Sequence, residues 1–168
     1  MSQVRYVKQR DHYSCGPVAI MNVLKWVGVR FNYQERIKVL QEACDCVPTR
    51  GTRHAAFDRA LRHVVGLLPV DVRVRRVHRP KLSQIEEHLL SGGIVVLNYR
   101  WKTDEEGFSR HFVLLTKVSG NGKYFLTAND STGGPAARVI NRATLKKFNL
   151  RFQRPDPHYK AWFVSVKD

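Results

Sequence analysis

A thiol attacks a carbonyl only as the thiolate, and the free N–H groups and positive dipole end of a helix N-terminus stabilise that anion. Cys15 stands at such a place in "HYSCGPVAIMNVLKW", residues 12–26, where a Gly-Pro pair follows the cysteine and a nearly unbroken apolar run follows the pair. Gly16 leaves room for a substrate backbone to come close. Gln9, six residues upstream, carries an amide that can donate to the oxyanion formed on attack, beside the backbone N–H of Cys15. A free cysteine is also among the most commonly buried residue types, so the chemistry needs partners elsewhere in the chain.

The first partner is a base. His111 begins the apolar run "HFVLLTKV", an odd place for an imidazole unless it has a partner, although a core histidine bonded to a carbonyl is the plainer account of that residue alone. The second is a group to orient the ring. Asn129-Asp130 ends the next apolar run, and antiparallel pairing brings that end beside the start of the His111 strand. Neighbouring strand positions face opposite ways, so one of the two meets the imidazole; Asp130 is the choice and Asn129 the alternative. "NDSTGG" is equally good turn chemistry. Cys44-Asp45-Cys46 with His54 invites a zinc reading, but the spacing falls short of a four-ligand site, and free thiols near a helix end are expected. His12 is read as a loop histidine, and Trp101 as covering either the cleft or the end of the sheet.

The elements that must position these residues follow from periodicity. Ser14 as N-cap and Pro17 in the first turn start a helix over 15–27, stopped by Gly28, with Asn22 and Lys25 as its narrow polar stripe. Ile37, Leu40 and Ala43 mark a helix over 33–43, and Thr52 caps another over 53–64 that buries Ala56, Phe57, Ala60, Leu61 and Val64. Beyond Gly66, "VDVRVRRV" alternates like a half-buried strand, and a helix over 81–90 buries Leu82, Ile85, Leu89 and Leu90 before Gly92-Gly93. "IVVLNYR" is a strand, "HFVLLTKV" and "KYFLTAN" form a hairpin about Gly120-Asn121-Gly122, and a helix over 142–148 and a strand over 160–166 close the chain. "WKTDEEGFS", residues 101–109, is expected to be a mobile flap. Helices first and hairpin-linked strands afterwards predict an α+β fold with an antiparallel sheet: one domain over 1–168, its helical half about 12–66 and its sheet half about 70–168.

Gln9, then Cys15-Gly16-Pro17, then His111 before an apolar strand and Asp130 after the next, resembles the papain-like superfamily, and within it the bacteriocin-processing peptidases of the C39 type. The likeness extends over most of the chain. Gly51-Thr52 before a helix is similar to a "GT" of that family, and 91–97 to its helix ending "GG" ahead of an apolar strand. The resemblance implies a central helix opened by the cysteine, with Cys15 as nucleophile, His111 as base and then acid, Asp130 orienting the ring and Gln9 in the oxyanion hole. The family commonly has Asp-Pro where this chain has Asp130-Ser131.

At 168 residues the chain is long enough to bury a real core, and its longest apolar runs are far shorter than a bilayer requires. The N-terminus lacks the apolar stretch of a signal peptide, and three cysteines, two of them close together, do not form a disulfide framework. A cytoplasmic or virion location in a reducing compartment is expected. The net charge of +15 is concentrated in 50–81, where nine Lys/Arg face Asp58 and Asp71, and in 138–160, where seven face Asp156. Such a field attracts nucleic acid or an acidic partner, or serves only as a solvated face. The function expected first is therefore a cysteine peptidase acting on a peptide or isopeptide bond without a cofactor. The alternative is a basic binding protein on a peptidase-like scaffold.

Overall fold

The computed structural model describes residues 4–103, 107–127, 137–149 and 159–167. Among these residues five helices and six strands follow in the order α1 (Cys15–Trp26), α2 (Tyr33–Ala43), α3 (His54–Gly66), β1 (Val72–His78), α4 (Leu82–Leu90), β2 (Ile94–Thr103), β3 (Gly107–Val118), β4 (Lys123–Thr127), β5 (Ala137–Asn141), α5 (Arg142–Asn149) and β6 (Lys160–Val166). The chain divides into two compact units whose main boundary lies between Val72 and Arg73.

The first unit is helical. α1 is apolar on nearly every side and buries all its residues from Cys15 to Leu24, which is what a helix at the centre of a core must do. It ends where Gly28 takes a positive φ of 92°, as expected. Asn22, on the polar stripe, is fully buried. Its side chain accepts from Val7 N (2.8 Å) and donates to Val7 O (3.1 Å), so the segment before the helix covers this polar position and satisfies it. α2 keeps the expected bounds and starts on the Asn32 side chain, which accepts from Gln34 N. It buries Ile37 and Leu40, but the third inward position falls on Cys44 and not on exposed Ala43. α3 begins at His54 with Arg53 as its N-cap residue, so Thr52 does not cap it, and Val65, not Val64, is its last buried residue.

The second unit carries the sheet, in the order β1-β6-β2-β3-β4-β5. β2 pairs antiparallel with both β6 and β3, and β3 antiparallel with β4. Val95, Leu97 and Tyr99 on β2 and Val113 and Leu115 on β3 form one core with Ile85 and Leu89 of α4 and Leu145 of α5. Leu90 is 70 % exposed, because the helix ends before its turn returns to the sheet. The glycines after it do separate jobs. Gly92 takes a φ of 86°, and a Cβ on Gly93 would lie 2.3 Å from Nε2 of His88, whose ring also bonds Val164 O (2.9 Å).

Two expectations about the sheet need correction. The 101–109 stretch is largely strand: Trp101 pairs with Ser109 and Thr103 with Gly107 in a long ribbon. The edge strand β5 was not foreseen, since "ARVIN" is too short to display a period. At the other edge β1 alternates over Val72–Arg76 as expected, with Arg73 and Arg75 exposed, and Arg79 is exposed just beyond the strand. The Arg75 guanidinium lies over the Phe163 ring (4.8 Å) and that of Arg76 over Trp162 (5.9 Å). Among the described residues no helix is long and apolar enough to cross a membrane.

Candidate active site

Cys15 is the first residue of α1 and only 7 % exposed. The turn leading into it is built from side chains. The Asp11 carboxylate accepts from the backbone N–H groups of Tyr13 (2.9 Å) and Ser14 (2.7 Å) through Oδ1 and from the Ser14 hydroxyl (2.7 Å) through Oδ2. Ser14 holds the N-cap position but makes no side-chain cap bond, contrary to expectation. Its hydroxyl is taken up by Asp11 on one side and by the Gln41 amide of α2 (2.8 Å) on the other.

Gln9 is 3 % exposed, and its Nε2 donates to the Asp11 carbonyl at 2.7 Å. One N–H of that amide is thereby fixed and a second remains on the same nitrogen. Its Oε1 is buried with no hydrogen-bond partner among the described residues. Such an orphan is destabilising unless something else arrives to bond it.

Gly16 has a role the sequence did not disclose. A Cβ there would sit 2.7–2.9 Å from Oγ1, Cβ and Cγ2 of Thr52, so Thr52 fills the space that had been expected to admit substrate. The Cys46 thiol donates to the Tyr13 carbonyl (3.3 Å) from the far side of the turn, and its pKa is raised, chiefly by burial, against a lowering contribution from the Thr52 hydroxyl. Cys44 is fully buried and its thiol is pushed up further, again chiefly by burial. None of the three cysteines is in a disulfide. Among the described residues no three His, Cys, Asp or Glu side chains converge as metal ligands. A cavity of about 340 Å³ beside this network is lined by Lys38, Gln41, Glu42, Asp45, Cys46 and Val47. His12 is exposed on the Asp11–Ser14 turn.

In the second unit His111 lies within β3 rather than at its start, 8 % exposed, directly opposite Tyr99 of β2. The two rings meet edge to face, with centroids 5.9 Å apart. Asn98, fully buried in the middle of "IVVLNYR", donates to the His111 carbonyl at 3.3 Å. Sequence reasoning missed Asn98, although a lone amide inside an apolar strand was the available signal. Asn129 and Asp130 lie outside the described residues, as does the Trp101 side chain.

No family model matches the chain, and no curated protein sequence matches it. Among solved structures it is similar to the crystal structure of a Bacillus anthracis protein proposed to be a C39-like peptidase. The likeness covers 100% of this chain and 98% of that one, with a TM-score of 0.64 and 11% sequence identity. Helices joined to an antiparallel sheet in this arrangement define the papain-like α+β fold.

Proposed function

We propose that the protein is a cysteine peptidase that cleaves a peptide or isopeptide bond through a thioester on Cys15. The observation that supports this most is the Gln9–Cys15 turn: a cysteine opens a buried helix, and a buried glutamine amide is folded onto the same turn. The fold shared with a protein proposed to be a C39-like peptidase agrees with it.

In this reading the Cys15 sulfur adds to the scissile carbonyl while the Cys15 N–H and the free N–H of Gln9 bond the oxyanion. His111 takes the thiol proton and gives it to the leaving amine as the C–N bond breaks. Water then attacks the thioester, His111 accepts its proton, and the acid leaves as the thiol re-forms. Asp130, with Asn129 as alternative, orients the imidazole. Intact-mass measurement with a panel of electrophilic peptide probes tests the proposal. Adducts on Cys15 that vanish in C15A are expected, and labelling confined to Cys44 or Cys46 overturns it.

The exposed arginines of the β1 edge favour a second reading, a polyanion-binding surface. Its signature is nucleic-acid affinity whose logarithm falls steeply and linearly with log salt.

A further inference from the structure

The geometry points to Asp11 as a positioning residue that sets the oxyanion hole by holding Gln9 and Cys15 on one turn; the inference rests on the peptidase reading above. Asp11 lies two residues from Gln9 and four from Cys15, and it binds toward both. Its carboxylate accepts three hydrogen bonds from Tyr13 and Ser14, which fixes the backbone leading directly into the cysteine. Its carbonyl accepts from the Gln9 amide at 2.7 Å. The direction of that carbonyl follows from the turn the carboxylate closes, so the side chain that orders the helix entry also aims the glutamine.

Two further contacts anchor the turn from outside, Gln41 on the Ser14 hydroxyl and the Cys46 thiol on the Tyr13 carbonyl. The aimed amide is itself 3 % exposed, and since its oxygen only accepts, the remaining Nε2–H is the group it can offer an oxyanion. A carboxylate near a nucleophilic sulfur does not favour the thiolate by its charge. Its contribution is geometric, and errors of about 1 Å in such a site cost on the order of a hundredfold in rate.

The test separates the oxyanion hole from thiol reactivity. Peptide aldehydes bind as hemithioacetals whose oxygen occupies the oxyanion position, whereas iodoacetamide alkylates sulfur by displacement and has no oxyanion. From a panel of N-acetyl dipeptide aldehydes ending in glycinal, leucinal or argininal, the one bound best by the wild type is used. D11A is expected to weaken it by about ten- to a hundredfold, with iodoacetamide alkylation of Cys15 nearly unchanged. D11N, which keeps an oxygen for the Tyr13 and Ser14 amides, recovers most of the affinity. In a Q9A background the further loss caused by D11A is clearly smaller, because one of the two groups it positions is gone. An aldehyde affinity in D11A equal to that of the wild type, or the same loss in the Q9A background, overturns the inference alone. Wild-type protein that is alkylated at Cys15 but binds no aldehyde overturns the peptidase reading and this inference with it. Should D11A fail to fold by circular dichroism, D11S carries the same cycle, since its single hydroxyl cannot hold both amides and Ser14 together.

Discussion

The Gln9–Cys15 turn and the strand around His111 are both buried, yet they are held in different ways. The turn is a mesh of side-chain hydrogen bonds closed almost entirely within six residues, with Asp11 at its centre. His111 owes its place to strand register, opposite Tyr99 and in line with Val113 and Leu115. A mesh gives way one bond at a time. A register moves as a whole, since a slip of one residue turns every side chain to the other face. Substitutions around Cys15 should therefore grade the function of the first region finely, while those around His111, the imidazole itself apart, should be tolerated until the sheet itself fails.

The largest effect that sharpens this contrast is chemical. C15A should remove at least about 10⁴-fold of kcat for any peptide the wild type cleaves, and H111A a comparable factor, with both variants folded by circular dichroism. Full turnover by either breaks the comparison, because one of the two regions would then be only structural. N22A comes next. It strips both bonds from the Val7 backbone and should cost about 1–3 kcal/mol in urea unfolding, along with activity, since the segment carrying Gln9 is released from α1.

G16A should cost about 1–3 kcal/mol by overpacking, part of which returns in the double variant with T52A, because Oγ1 and Cγ2 are removed but Cβ remains close. Independent, additive losses would show that Thr52 moves aside freely. The smallest effect is alkaline. Cys44 has a folded pKa above its unfolded value of about 8.5, so its contribution is complete below that pH and declines as pH rises toward the folded value. In that window C44V should reduce the loss of stability per pH unit by up to about 1.4 kcal/mol. An unchanged slope would mean that the thiol titrates alike in both states.

Much of this fold was legible because the signals were local. The bounds of α2 follow from periodicity and those of β6 from a short apolar run, and Gln9 and Cys15 were found by reading seven consecutive residues. What escaped was set by distant chain. Ser14 looked like a cap until Asp11 and Gln41 claimed its hydroxyl, and the partner of Asn22 was hidden because nothing in α1 shows that the preceding segment runs over it. Gly16 seemed to be space for substrate, whereas its neighbour is Thr52, thirty-six residues on. Leu90 and the 101–109 ribbon were misjudged because a helix end and a strand extension depend on what the sheet offers. For His111, burial was inferable, but its pairing with Tyr99 and its tie to Asn98 exist only once β2 and β3 have chosen their register.

The arginines of β1 have a consequence for crowded solution. Phe163 and Trp162 are consecutive residues on β6 and point to opposite faces, so Arg75 and Arg76 shelter an aromatic ring on each side of the sheet border. Two copies approaching border to border would press guanidinium against guanidinium before any new ladder could zip together. Part of the chain's large positive charge thus stands where two identical sheet borders would have to meet.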